Sequence, residues 1–142
     1  MRMLLTKKFS IEMAHALEGY DGKCANLHGH SYHLEVTVEG PAGGDQESNN
    51  GMVMDFHAIK ELVNRTIIDR YDHTLVLKKG SQLAQSATTL SLPNLREIPF
   101  NPTTENLLIH FATILEPELP SGTRLHSLRL AETDTSVAEL LL

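Results

Sequence analysis

The sequence has no tryptophan, a single cysteine, and only 12 lysines and arginines against 18 aspartates and glutamates. Each shortage excludes something. One cysteine cannot close a disulfide within the chain. A formal charge of -6 lacks the basic coating that grips a nucleic-acid backbone, so no nucleic-acid partner is expected. No apolar run reaches the roughly 20 residues needed to cross a bilayer, so no membrane partner is expected either. The apolar stretch between Met1 and Lys8 is too short for a secretory signal, and the expected compartment is the reducing cytoplasm. What is abundant is histidine, with eight in 142 residues. At 41% hydrophobic and 21% charged, a chain of this length makes one globular domain, 1–142, with a modest core.

Hydrophobic patterning divides the chain. Over residues 5–15 the apolar Phe9, Ile11 and Met13 alternate with Thr6, Lys8, Ser10 and Glu12, the two-residue period of a half-buried strand, and His15 ends the apolar face. Gly19-Tyr20-Asp21-Gly22 supplies a turn. Alternation resumes over 28–40 with Tyr32, Leu34, Val36 and Val38 on one face. Residues 41–51 read as a polar surface loop. Asp55 suits an N-cap for a helix whose apolar Phe56, Ile59, Leu62, Val63 and Ile67 recur at helical spacing to about Arg70. Residues 78–101 show weak periodicity and read as an excursion, not as a linker between domains. A second helix opens at Thr103 or Thr104 with Glu105 near its positive end, buries Leu107, Leu108, Phe111, Ile114 and Leu115, and stops at Pro117. Strands are expected over 125–132 and 136–142. The order strand, strand, helix, helix, strand, strand predicts an α+β domain, an antiparallel sheet carrying two helices on one face.

The histidines fall on this frame with a pattern. His28 and His30 are two apart on a strand, so both imidazoles leave the face that carries Tyr32 and Leu34. Antiparallel pairing through the 19–27 connection brings His15 alongside. Buried imidazoles side by side are costly unless something uses their lone pairs, and three neutral nitrogen donors leave one tetrahedral position open, as in catalytic zinc sites. Zinc (Zn2+) with an open position is the expected cofactor. Cys24, four residues before His28, has two readings: a fourth ligand that closes a structural site, or a thiol beside the metal serving as base or nucleophile. Gly22, His28, His30, Glu35 and Gly40 also approach the first metal motif of the cupins. Against this, Glu35 leaves the opposite strand face, and two helices leave too little chain for an eight-stranded jelly roll.

The stretch Cys24-Ala25-Asn26-Leu27-His28-Gly29-His30-Ser31-Tyr32 occurs with Phe9 to His15, Val53 to Phe56, Tyr71-Asp72-His73, Pro102-Thr103-Thr104-Glu105-Asn106 and Glu132-Thr133. In that order the set resembles, nearly end to end, the family of 6-pyruvoyltetrahydropterin and 6-carboxytetrahydropterin synthases. The resemblance implies the tunnelling fold (T-fold), ββααββ subunits whose sheets join into a barrel as a homo-oligomer, either a trimer or a hexamer of two stacked trimers. The three residues between Cys24 and His28 match the shorter of the family's spacings, that of the bacterial queuosine-pathway enzymes. The implied reaction is then conversion of 7,8-dihydroneopterin triphosphate to 6-carboxy-5,6,7,8-tetrahydropterin, acetaldehyde and triphosphate, a carbon-carbon lyase step of deazapurine biosynthesis. The alternatives are the triphosphate-eliminating 6-pyruvoyltetrahydropterin synthase and a catalytically silent, zinc-stabilised oligomer.

Carried over by motif, His15, His28 and His30 hold zinc, Cys24 is the general base, and Asp72 orients His73 for proton transfer on the opposite side. Glu132 anchors the pterin through its ring N–H and amino groups. Thr103, Thr104 and Glu105 line the pterin pocket, alongside their capping role. Thr74-Leu75 stands where the family often has Leu-Asn, and Ala138 or Glu139 where it has an aromatic. His33, His57, His110 and His126 match no ligand position and read as surface or packing residues. Lys7, Lys8 and Lys23 are the candidate cations for the triphosphate.

Overall fold

The computed structural model describes residues 1–41, 43 and 50–142; most of the loop expected over 41–51 lies outside the described residues. The two long alternating segments pair as expected. β1 (Arg2–His15) and β2 (His28–Pro41) run antiparallel along their whole length, with Ile11 opposite Tyr32 and His15 opposite His28. They form the middle of a six-stranded sheet of order β4-β3-β1-β2-β5-β6. Alternation sends Ile11, Met13, Tyr32, Leu34, Val36 and Val38 to one side, where all are buried.

Helices cover that side. α1 (Phe56–Val63) begins at Asp55, whose side chain accepts from the His57 N–H. The helix continues through a π-helical segment, Asn64–Ile68, into the short α2 (Asp69–Tyr71). The Thr66 hydroxyl donates to the Leu62 carbonyl at 2.6 Å within this segment, a side-chain bond that competes with the regular ladder. Ile59, Leu62, Val63, Ile67 and Tyr71 pack onto the sheet.

Residues 78–101 correct the expectation of a structureless excursion. β3 (Thr74–Lys78) joins β1 in parallel, α3 (Gln82–Thr89) crosses over, and β4 (Leu95–Ile98) joins β3 in parallel. The strands are short and the apolar stripe of α3 is only Ala84 and Ala87, which is why periodicity was faint. Val76 joins the main core, whereas its neighbour Leu77 packs with Ala16, Ala84 and Ala87. α3 therefore covers the reverse side of this sheet edge.

α4 (Thr104–Leu115) is capped by Thr103 and buries Leu107, Leu108, Phe111 and Leu115 against the same core as α1. A 3-10 turn containing Pro117 ends it. β5 (Arg124–Thr133) and β6 (Ser136–Leu141) form the closing hairpin beside β2. The outcome is a mixed, mostly antiparallel sheet with its two main helices on one face. Among the described residues no helix is long and apolar enough to cross a membrane.

Candidate metal centre

Strand register builds the centre. His15 and His28 face each other across β1 and β2, and His30 follows on the same face of β2. One ligand nitrogen from each lies within 4.8 Å of the other two, and the Nε2 atoms of His15 and His28 are 3.0 Å apart. The His15 Nδ1–H donates to the Pro102 carbonyl at 2.7 Å, and the His28 Nδ1–H to the Asn26 carbonyl at 2.6 Å. These bonds fix both tautomers and leave each Nε2 with a free lone pair. His30 Nε2 is buried without a hydrogen-bond partner. Burial holds the His15 pKa below the usual histidine value, more than the Pro102 bond raises it, so its imidazole is in the neutral, ligating form at pH 7. Facing lone pairs and an orphaned buried nitrogen both disfavour an empty site, and a cation answers both. The residues fit a metal ion.

Three further side chains surround the triad. Tyr32 is fully buried, its hydroxyl 3.3 Å from Nδ1 and 3.4 Å from Nε2 of His15. Its phenol is driven far above the ordinary tyrosine range, by burial first and then by the negative charges of Glu132 and Cys24. Glu132 occupies a bulge: the β5–β6 register passes from Ala131 opposite Val137 to Thr133 opposite Ser136, and such a bulge re-aims its side chain. Cys24 sits half-buried in a 3-10 turn, Lys23–Ala25, tied down by the Leu17 N–H on its carbonyl at 2.9 Å. It is not part of the nitrogen cluster, which favours a thiol beside the metal over a fourth ligand. Glu35 points away and pairs with Arg129 and Lys8 at 3.0 and 3.6 Å, which removes the cupin-like arrangement.

The start of α4 reaches the centre through its main chain. Thr103 accepts from the Asn106 N–H at 3.2 Å, Thr104 is buried and Glu105 is exposed. The Asn101 side chain clasps both main-chain groups of Glu18 at 3.0 and 2.9 Å, which holds Pro102 where its carbonyl meets His15. Asn26, Asn101 and Pro102 escaped sequence reasoning because two of them act through carbonyls, which no side-chain pattern advertises. The Pro-Thr helix start marks Asn101 and Pro102, and Asn26 falls within the Cys24 to His28 stretch.

Asp72 and His73 lie elsewhere. His73 Nδ1–H donates to Asp72 Oδ2 at 2.9 Å, Asp72 Oδ1 accepts from the Glu12 N–H at 2.8 Å, and the His73 N–H donates to the Glu12 carbonyl at 2.6 Å. The bond from Glu12 and then the imidazole of His73 hold the Asp72 carboxyl below its usual range, against the opposing effect of burial. His73 has φ +58°, a left-handed conformation costing of order 1 kcal/mol that these bonds sustain. Its exposed side chain borders a cleft with Glu12 and Ser31, residues of the strand face opposite the triad, and the same cleft reaches His30.

The remaining histidines pack or pair on the surface. His110 bonds the Tyr71 hydroxyl, His126 and His57 approach Glu39 and Glu61, and His33 meets Ser10. Of the three candidate cations, Lys8 is paired with Glu35, Lys7 lies over the Phe56 ring, and Lys23 is exposed beside Cys24.

A family model described as 6-pyruvoyl tetrahydropterin synthase matches residues 4–141. The chain is 36% identical over 138 residues to the 6-carboxy-5,6,7,8-tetrahydropterin synthase of Haemophilus influenzae, covering 95% of this chain and 96% of that protein. To the protein of the same name in Synechocystis sp. it is 32% identical over 136 residues, covering 95% and 90%. Among solved structures, an uncharacterized protein from Wolinella succinogenes matches with a TM-score of 0.82 at 19% identity, covering 99% of this chain and 98% of that one. The 6-pyruvoyl tetrahydropterin synthase of Caenorhabditis elegans matches with a TM-score of 0.69 at 22% identity, covering 99% and 96%. At these identities the two structures speak for the fold.

Proposed function

Because the chain belongs to the 6-pyruvoyl tetrahydropterin synthase family, we propose that it is a zinc-dependent 6-carboxy-5,6,7,8-tetrahydropterin synthase. In this reading it is a cytoplasmic carbon-carbon lyase of queuosine biosynthesis that converts 7,8-dihydroneopterin triphosphate to 6-carboxytetrahydropterin, acetaldehyde and triphosphate. The observation that carries it is the convergence of three imidazole nitrogens, one of them orphaned, beside Cys24 and Glu132. The short separation of Cys24 from His28 and relatives bearing this name support the carboxy over the pyruvoyl product.

Zinc held by His15, His28 and His30 would polarise oxygens of the substrate side chain and acidify the adjacent C–H. Cys24 takes the proton so released, as general base. Glu132 accepts hydrogen bonds from the pterin ring N–H and amino group, and those donors make a partly buried carboxylate tolerable. Thr103, Thr104 and Glu105 stand at the helix start beside the pocket, with Thr104 the buried one that can touch the ring. Asp72 keeps the proton on His73 Nδ1, leaving Nε2 to deliver or remove a proton from the other side of the substrate. In this reading His73 of one protomer serves the triad of a neighbour, and the working form is a homo-oligomer, a trimer or a hexamer. Lys23, exposed next to Cys24, is the candidate cation this reading gives to the triphosphate.

Incubating the zinc-loaded protein with 7,8-dihydroneopterin triphosphate and separating the products tests the proposal. Acetaldehyde with 6-carboxytetrahydropterin is the expected result. Formation of 6-pyruvoyltetrahydropterin would assign the sibling activity instead, and unchanged substrate at full metal loading would leave a silent metal-stabilised oligomer.

A further inference from the structure

The outward face of the sheet carries a cleft of about 560 Å³ that the chemistry above uses through His73 and, at its border, the ligand His30. Its floor is bare. Ala14 and Gly29 lie there, and a Cβ added at Gly29 would meet nothing closer than the Met13 carbonyl at 3.5 Å. Packing within the chain therefore leaves room for a side chain at 29, and its absence keeps the strand backbone open to whatever enters the cleft.

The walls are polar and ordered. Glu12 stands opposite Ser31 in the β1–β2 register, and the Ser31 hydroxyl donates to Glu12 Oε2 at 2.7 Å. The main chain of Glu12 donates to Asp72 and accepts from His73, so Ser31 on β2, Glu12 on β1 and His73 in the turn before β3 are level. Oε1 of Glu12 accepts no hydrogen bond among the described residues and is free for a donor. Asn94 lines the far wall, and no Lys or Arg lines the cleft. A carboxylate without cations repels phosphate and attracts hydroxyl and amine donors. The volume is that of an ordinary small-molecule site.

We infer that this cleft is a recognition site for the neutral, phosphate-free part of the substrate, with Glu12, set by Ser31, accepting a hydrogen bond from a hydroxyl or amine that lies against His73. The inference rests on the pterin reading. Glu12 is thus a specificity residue whose contact is with bound substrate, distinct from the proton transfer assigned to His73.

The test is steady-state kinetics of the wild type, Glu12→Gln and Ser31→Ala with 7,8-dihydroneopterin triphosphate. Zinc content, melting temperature and fluorescence titration with phosphate-free 7,8-dihydroneopterin are measured on the same preparations. The expected result is a KM and a dihydroneopterin Kd raised about tenfold in Glu12→Gln, with kcat within about twofold and zinc content unchanged. Ser31→Ala shifts KM the same way by less. An unchanged KM and Kd in Glu12→Gln, beside an active wild type, overturns the inference alone. A loss confined to kcat also overturns it, by leaving Glu12 only the task of holding His73. A wild type that neither binds nor turns over any pterin overturns the functional reading, and this inference with it.

Discussion

His15 and His28 direct their Nδ1–H groups to main-chain carbonyls and turn their Nε2 atoms toward the orphaned Nε2 of His30. That arrangement suits a metal ion better than three packed histidines, and the proposed mechanism has Cys24 act beside the metal instead of on it. Cys24→Ala is therefore expected to keep its metal in elemental analysis while kcat falls by about 10²- to 10⁴-fold, the range for a general base; loss of the metal would make Cys24 a ligand. At the other end of the sheet, Glu39 is buried under Arg124, Arg2 and His126, which hold its carboxyl down at about 2 against an ordinary 4.5. A carboxyl depressed by folding stabilises the fold above its unfolded value, and that contribution disappears as pH falls through the folded one. Melting temperatures measured from pH 5 down to 2 are expected to fall more steeply in the wild type than in Glu39→Gln. Parallel curves would show that the ion cluster contributes no net stability.

Helix caps discriminate between stability and function at the scale of elements. Asp55 and Thr103 each cap a helix through one side-chain bond, so replacing either by Ala should cost about 1 kcal/mol in chemical denaturation. Only the start of α4 also carries Pro102, whose carbonyl orients His15. Thr103→Ala is expected to weaken metal affinity about tenfold in chelator competition, as for an outer-shell partner, and Asp55→Ala to leave it unchanged; equal effects would detach the α4 start from the centre. The sequence disclosed both of these helices and the four strands of the main framework because each buries large apolar side chains at a clear period. β3, α3 and β4 stayed hidden because two strands of four or five residues and a helix faced with alanine leave little periodic contrast. The π-helical segment and the bulge at Glu132 were equally invisible, since both are departures from the very periods being read.

For the molecule as a whole, the sequence named candidate residues by type and motif, and the register that groups three of the histidines was legible from strand alternation, but the outward cleft was not. His15, His28 and His30 converge from β1 and β2, while His73, oriented by Asp72, borders the outward cleft, which also reaches His30. If neighbouring chains complete one another's sites, Cys24→Ala and His73→Ala should each be inactive, yet co-expressed together they should form mixed oligomers that regain turnover, because some sites then receive both wild-type groups. Absence of any recovery in verified mixed oligomers would place both residues in one chain's site. The most direct measurement of the central claim is turnover of 7,8-dihydroneopterin triphosphate before and after chelation, with metal content followed in parallel. The wild type is expected to carry about one zinc per chain, to lose essentially all turnover as the metal is removed, and to recover it on adding zinc back, whereas full turnover by the metal-free protein would contradict the account.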